Sequence, residues 1–340
     1  MNSYDTLKIA FPVHLLGMTD RKRKRSFDTR ISNLEKGSSR KMTLKPSLVK
    51  PVLGLSSLEI QDQKAVLEIS AKSLHRDYYD GITKDNITTA LQNTIPEFIE
   101  CDYLEIVERS SVMRCDVVRN VPCTNVEFTL AELGAYPIEP HTNRAPYLRA
   151  RIETVSWQST RITRNMRLSA YDKTTEANRK RDRSLWERLD IDRFKDHIRV
   201  EANLRKHADI KAMHGMDEVA KGIAPYLNEV LLSRHNALGN VMDFFLRPEL
   251  EPNEPHTYLD GVEGVKEEGY LSIFKRFSWN WDMSRAYILA GYSKKSNPTR
   301  MLKQVRQLFN DHNPNGNPKT ITEYQRVRTA IEKPFSGRGS

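Results

Sequence analysis

Three segments of the chain alternate between polar and apolar residues, and each predicts a strand with one buried face. They are residues 112–118, 167–173 and 197–205. Because successive side chains of a strand point to opposite faces, the apolar residues of these segments would form one buried surface. The other face would carry Arg114, Asp116, Arg167, Ser169, Tyr171, Lys173, His197, Arg199, Glu201, Asn203 and Arg205. A solvated face usually mixes Lys, Glu and Thr, whereas this face would bring together a tyrosine, carboxylates and several cations.

Similar patterns along the N-terminal part of the chain predict an α+β domain. Strands are expected at residues 6–11, 64–72, 103–107 and 148–157, helices at 85–95, 125–135 and 174–189, and a loop at 137–146. Asp85 or Asn86 can cap the first helix, which ends before Pro96. This succession of elements predicts a mainly antiparallel sheet with helices on one face.

The strand patterns stop after residue 206, and the rest of the chain is expected to be helical. Helices are predicted at 217–234, 235–246, 282–290 and 297–310. Gly291 separates the last two, and Pro298 lies in the first turn of the second, which is helix–turn–helix spacing but also a common packing unit. The predicted domains are 1–206, a helical extension at 207–248, a linker at 249–265, and a helical region at 266–340 that could read DNA.

The distribution of charged residues indicates a binding partner. The chain has 340 residues and a net charge of +10, and the excess is concentrated in residues 21–50, which hold eleven Lys or Arg and two Asp or Glu. That stretch is a basic arm or insertion, and it contains the run Arg21, Lys22, Arg23, Lys24 and Arg25. A second basic cluster is formed by Arg179, Lys180 and Arg181. One such run could be a solubilising insertion, but two beside the polar strands favour a polyanionic partner such as DNA.

The composition also excludes several classes of protein. No apolar run approaches the roughly 18 residues of a membrane span, and residues 1–10 do not have the pattern of a secretory signal. Cys101, Cys115 and Cys123 are an odd set without CxxC spacing. We therefore expect a protein of a reducing compartment, without a disulfide framework or a structural zinc site.

From about residue 60 to residue 240 the chain resembles the gene II/X-type replication initiators of filamentous phages and related phage and plasmid rolling-circle initiators. Four segments carry the resemblance by their order and spacing, namely residues 67–72, 112–116, 167–176 and 198–202. The basic stretch 21–50 does not align with the family. The chain also contains no His-hydrophobic-His motif, which excludes a metal site of the best-known relaxase type.

The resemblance implies an endonuclease that nicks one strand of a supercoiled origin. A tyrosine would become joined to the 5′ phosphate, the free 3′ hydroxyl would prime synthesis, and the displaced strand would later be rejoined. The implied partners are supercoiled origin DNA, its nicked strand, and a host helicase and polymerase. The protein would act in the cytoplasm of a bacterial host and would not bind a membrane. A homodimer on DNA is compatible with this function. Tyr171 matches the family's tyrosine, and Asp116 and Glu201 match its acidic strand positions.

The residue types suit this chemistry. A tyrosine has an ordinary pKa near 10, so a nearby cation must favour the phenolate, and Lys173 shares its predicted face. Asp116 and Glu201, with Glu68 as a third acid, would hold Mg²⁺ or Mn²⁺, and Arg114, Arg167 and Arg199 would contact DNA. Alternatively, the two strand acids form salt bridges with Arg114 and Arg199. Rival nucleophiles are Tyr78 and Tyr79, and rival ligands or bases are His75 and His197.

A different class of function is also compatible with the sequence. A non-catalytic protein that binds an origin or an operator would account for the positive charge and for the C-terminal helix pair. It would not account for a tyrosine and two carboxylates on one face of a sheet. Covalent transfer of the protein to DNA separates the two classes.

Overall fold

The structure of the chain is a computed structural model. It describes residues 2–18, 42–44, 55–61, 63–95, 99–123, 125–135, 142–148, 152–179, 189–216, 222–246, 265–276, 279, 281, 284–285, 288, 298–312 and 321–332. The basic run 21–25, residues 180 and 181, and the expected linker up to residue 264 lie outside the described residues.

A nine-stranded antiparallel sheet organises the described part of the chain, with the strands in the order β3-β4-β5-β1-β7-β11-β10-β9-β8. Its strands are β1 Tyr4–Pro12, β3 Met42–Leu44, β4 Leu55–Gln61, β5 Lys64–Ser70, β7 Ser111–Pro122, β8 Thr142–Leu148, β9 Ile152–Ser159, β10 Met166–Asp172 and β11 His197–Leu204. Two short strands, β2 Gly17–Met18 and β6 Ile99–Glu100, form a separate pair. The prediction of an α+β fold with a mainly antiparallel sheet is confirmed.

Most described helices cover the apolar face of this sheet. The described α-helices are α1 Ile87–Thr94, α2 Tyr103–Arg109, α3 Val126–Ala135, α4 Lys173–Arg179, α5 His207–Met213, α6 Leu227–Leu232, α7 Ala237–Phe245, α8 Val265–Arg276, α9 Pro298–His312 and α10 Ile321–Glu332. Helices α5, α6, α7 and α10 contact β7, and α3 contacts β9. The main core lies between these helices and strand residues such as Leu7, Cys115 and Ala202. Among the described helices, none is long and apolar enough to cross a membrane.

The opposite face of the sheet remains polar and carries shorter elements. The 3-10 segment Ala71–Tyr79 follows β5, and the 3-10 turn Ile191–Phe194 precedes β11. Helix α4 contacts that turn and β11. Together these elements surround the polar side chains of β10 and β11 and leave a cavity above them.

Three sequence-based predictions of local structure were wrong. Residues 103–107 form part of α2 rather than a strand, because Asp102 accepts hydrogen bonds from two backbone N–H groups and caps a helix there. The loop predicted for 137–146 is a strand from residue 142 onward; its Pro146 is tolerated because β8 lies at the sheet edge. The helix predicted for 217–234 is limited to α6, and residues 222–226 precede it in a non-helical conformation.

The C-terminal helices contribute to two cores. Leu271 and Phe274 of α8 pack with Ile288 and with Val305 and Phe309 of α9 in a small separate cluster. Helix α10 instead packs against the main core through Val327 and Ile331. Its Arg328 forms an ion pair of 2.7 Å with Asp243 of α7. The domain boundaries drawn from the sequence stay a prediction.

Candidate functional site

A cavity of about 450 Å³ opens on the polar face of the sheet. The residues lining it that the sequence singled out are Tyr78, Arg114, Arg167, Ser169, Tyr171, Lys173, Glu201, Asn203 and Arg205. Asp5, Lys72 and Glu176 also line it. The structure therefore brings together side chains from strands that lie far apart in the sequence, as the alternation of polar residues predicted.

Strand register explains why these side chains meet. Tyr171 of β10 lies opposite Arg199 of β11, and Ser169 lies opposite Glu201. Directly opposed residues of antiparallel strands project to the same face. Glu201 consequently lies diagonally across from Tyr171, within reach of its hydroxyl.

The central contact of the cavity joins Tyr171 to Glu201. The Tyr171 hydroxyl donates a hydrogen bond of 2.9 Å to Glu201 Oε2. Burial and the negative charge of Glu201 raise the pKa of Tyr171 well above its usual value. Burial and the nearby Asp5 raise the pKa of Glu201 as well. A tyrosine in this setting ionises only if a neighbour takes its proton, and Glu201 is in contact to do so.

Lys173 lies beside the ring of Tyr171. Its Nζ atom is 5.4 Å from the centre of the Tyr171 ring and 5.6 Å from that of Tyr78. The same atom forms an ion pair of 2.5 Å with Glu176 Oε2. Burial acts to lower the pKa of Lys173, but Tyr78, Asp5 and Glu176 outweigh it and raise that pKa. Lys173 is thus a buried permanent cation next to two tyrosine rings.

Asp5 is a member of the site that the sequence analysis missed. It forms an ion pair of 2.6 Å with Arg199, whose side chain is fully buried. The predicted first strand began at residue 6, whereas β1 begins at Tyr4 and its pairing with β7 shifts register between Tyr4 and Thr6. Such an irregularity changes the face to which a side chain points, so simple alternation could not place Asp5. An acid at the edge of an apolar strand was the only available signal.

Arg199 therefore has a different environment from the one expected of a DNA contact. Its guanidinium lies 5.0 Å from the centre of the Tyr78 ring and 5.8 Å from that of Phe194. None of its side chain is exposed, so the described conformation presents no surface of Arg199 to a phosphate. Arg199 instead holds Asp5, which lines the cavity, through their ion pair.

The three acids expected to hold a metal are not equally placed. Of Asp116, Glu201 and Glu68, only Glu201 lines the cavity. Both oxygens of Asp116 accept hydrogen bonds from Arg114, at 3.3 and 2.7 Å, and Asn203 donates to one of them. Burial raises the pKa of Asp116 to about 7, although Arg114 acts to lower it. The described residues contain no group of three or more His, Cys, Asp or Glu side chains arranged to hold a metal ion.

The remaining candidates are scattered. Tyr78 is fully buried between Lys173 and Arg199, and burial raises the pKa of its hydroxyl. Tyr79 packs against Phe194, Arg193 and His197. His75 is exposed and lies on the 3-10 segment, outside the residues that line the cavity. Arg21, Lys22, Arg23, Lys24, Arg25, Lys180 and Arg181 fall outside the described residues, as does the side chain of Arg179.

Comparisons with known proteins add one structural similarity. No family model and no curated protein matches the sequence. The solved rolling circle replication initiator protein from Geobacillus stearothermophilus is 13% identical to this chain, and the similarity covers 71% of this chain and 96% of that one, with a TM-score of 0.31. The function must therefore be inferred from the side chains described above.

Proposed function

We propose that the protein is a DNA-nicking endonuclease and strand transferase that initiates rolling-circle replication, with Tyr171 as its nucleophile. The hydrogen bond between Tyr171 and Glu201 at the floor of an arginine-lined cavity carries this proposal. It combines a nucleophile, a base in contact with it, and cations for a phosphate, which are the parts that a transesterification needs.

The proposed reaction uses these groups in one displacement. Tyr171 Oη attacks the phosphorus of a phosphodiester, and its proton passes to Glu201. The bond from phosphorus to the 3′ oxygen breaks, and that oxygen leaves with the electron pair and takes up a proton to become a free 3′ hydroxyl. The 5′ phosphate stays joined to Tyr171, so attack by a later 3′ hydroxyl reverses the step and rejoins the strand. A host helicase and polymerase would act on the nicked origin between the two steps.

Cations around the tyrosine would stabilise the negative charge of the transferring phosphate. Arg114, Arg167 and Arg205 line the cavity, and Lys173 is buried beside the ring of Tyr171. Partly buried fixed charges act more strongly than charges in bulk solvent. Arg199 also favours the phenolate, since its positive charge acts to lower the pKa of Tyr171 against the effects of burial and of Glu201.

We propose a divalent cation, Mg²⁺ or Mn²⁺, as cofactor, held by Glu201 and Asp5 rather than by Asp116 and Glu68. Both Glu201 and Asp5 line the cavity, and Mg²⁺ is usually bound by one or two carboxylates with water and phosphate oxygens. When bound, the ion would neutralise charge on the phosphate oxygens. Asp5 acts to raise the pKa of Glu201, so the two carboxylates lie close enough to repel each other.

The experiment compares nicking by the wild-type protein and by Tyr171→Phe. Supercoiled DNA carrying the surroundings of the protein's own gene is incubated with Mg²⁺, and nicked circles and SDS-resistant protein–DNA adducts are measured. We expect Tyr171→Phe to bind DNA but form no adduct, because it keeps the ring and loses the nucleophilic oxygen. Tyr78→Phe is the matched control and should still form the adduct.

Two outcomes would contradict the proposal. Adduct formation by Tyr171→Phe, with its loss in Tyr78→Phe, would make Tyr78 the nucleophile. Specific DNA binding by the wild-type protein with neither nick nor adduct would favour the non-catalytic origin-binding or operator-binding protein.

A further inference from the structure

A second cavity, of about 610 Å³, lies beside the C-terminal end of β1, whereas Asp5 at the N-terminal end of that strand lines the first. It is lined by residues of β1, β5 and β7 together with the segment that precedes α6. Two residues of that segment are unusually exposed for apolar or aromatic side chains, with 60% of Ile223 and 54% of Tyr226 accessible to solvent. The cavity therefore presents an aromatic ring and an aliphatic side chain at its rim.

The charged side chains that line this cavity are cations. Lys64 and Arg109 line it together with His207, and no Asp or Glu is found among the described residues that do so. Arg109 forms an ion pair of 3.0 Å with Glu105, but both side chains are exposed and such a pair contributes little. The guanidinium can therefore exchange this partner for a phosphate. The first cavity differs, because there acids accompany the cations.

The linings of the two cavities include residues that are neighbours in the sequence. Arg114 and Arg205 line the first, while Met113 and His207, one and two residues away, line the second. The pairing of β1 with β7 shifts register between Lys8 and Ile9, opposite this point. A bulge of this kind allows neighbouring side chains to border one surface. A strand that leaves the Tyr171 cavity past Arg114 would thus reach Met113 in the lining of the second.

We propose that the second cavity binds unpaired nucleotides of the strand beside the nick, with Tyr226 as the platform on which a base stacks. This inference rests on the proposed function, which supplies a nicked strand next to Tyr171. Cations with an exposed aromatic ring are the combination that holds single-stranded nucleic acid, since phosphates meet the charges and bases meet the ring. Duplex DNA keeps its bases stacked inside and offers no base face to Tyr226.

The test measures binding of a fluorescein-labelled oligothymidylate to the full-length protein carrying Tyr171→Phe, which prevents covalent capture. Adding Tyr226→Ala should weaken binding by about tenfold, equivalent to about 1.4 kcal/mol. Adding Tyr226→Phe should leave affinity within about twofold, because stacking needs the ring and not the hydroxyl. Affinity for a duplex of the same length should stay unchanged in both. Tyr226 is half exposed, so unfolding midpoints should match and exclude a folding defect.

Three results would overturn this inference. They are unchanged oligothymidylate affinity in Tyr226→Ala, equal weakening in Tyr226→Phe, and equal weakening of duplex binding, which would assign the surface to double-stranded DNA. Failure of the nicking proposal has a different signature. In that case the wild-type protein forms no adduct, while the effect of Tyr226 on single-stranded DNA persists.

Discussion

Replacement of Asp5 by Asn tests whether the buried ion pair under the cavity supports the fold. Arg199 is fully buried and Asp5 is 17% exposed in their 2.6 Å pair. Removing one partner of a buried pair typically costs about 3–5 kcal/mol, because the other charge is left without compensation. Asp5 retains some solvent contact, and Arg199 keeps the faces of the Tyr78 and Phe194 rings. We therefore expect the lower end, about 3 kcal/mol of unfolding free energy.

Urea unfolding of wild-type and variant protein measures this loss, with Asp80→Asn as the matched control. Asp80 and Arg193 pair at 3.2 Å, but their side chains are 24% and 26% exposed. The same substitution at this more accessible pair should cost about 0–1 kcal/mol. A loss in Asp5→Asn no larger than that in Asp80→Asn would refute the role of burial.

A second substitution and the pH dependence sharpen this test. Arg199→Met in the Asp5→Asn background removes the uncompensated charge, so it should restore part of the lost stability; a further additive loss would contradict the reasoning. Burial acts to raise the pKa of Asp5, but Arg199, Lys173 and Lys72 outweigh it and lower that pKa. The stability difference between wild type and Asp5→Asn should therefore be present above the ordinary aspartate pKa and shrink as the pH falls through the lowered one.

Three further predictions concern the acids and the basic run. Glu201→Gln should slow nicking by about 10²- to 10⁴-fold in a plasmid-nicking assay, as expected for loss of a general base, while Glu68→Gln should nick like wild type. Burial raises the pKa of Asp116 to about 7, so the folded state keeps a proton that the unfolded state releases near pH 4. The stability of wild type relative to Asp116→Asn should therefore fall by up to about 4 kcal/mol between pH 4 and pH 7. A rise over this range would contradict the prediction. Replacing the five cations at 21–25 by Ala or Ser should weaken binding similarly on origin and random DNA and flatten the plot of log K against log salt by about two to four units, whereas an unchanged slope would show that the run stays solvated.

Alternation of polar and apolar residues was sufficient to predict the central strands and the residues that share their polar face. Each strand had a full set of buried residues on one side, which fixes the face on which every other side chain lies. The sequence therefore predicted that Tyr171, Glu201 and the arginines of the cavity share one face. It also predicted the antiparallel sheet, since short connections join most of its strands.

Alternation could not predict the orientation of residues that lie next to a shift of strand register. Asp5 and Met113 border the two cavities next to shifts of strand register, and a shift of one residue reverses the predicted face. Burial of Arg199 could not be predicted either, because its partner Asp5 lies 194 positions away. Residues 103–107 failed for a local reason, since a short apolar pattern fits a helix and a strand equally well and only the cap at Asp102 decides between them.

The different charges of the two cavities suggest that binding and chemistry are divided between them. In the first cavity the cations already face acids, with Lys173 paired to Glu176 and Arg114 paired to Asp116, so a phosphate entering it must compete with existing partners. In the second cavity no Asp or Glu is found among the described lining, and Arg109 pairs only with the exposed Glu105, which does not line the cavity. Affinity for the strand would then come mainly from the second cavity, where contacts are the same before and during the reaction.

The first cavity would interact most strongly when charge builds up on the transferring phosphate and Glu201 has taken the proton of Tyr171. Since only interactions that strengthen in the transition state accelerate the chemical step, this division keeps the binding contribution of Tyr226 separate from the catalytic contribution of Glu201. Substitutions at Tyr226 should accordingly act on the Michaelis constant for the DNA strand, and substitutions at Glu201 on the turnover number.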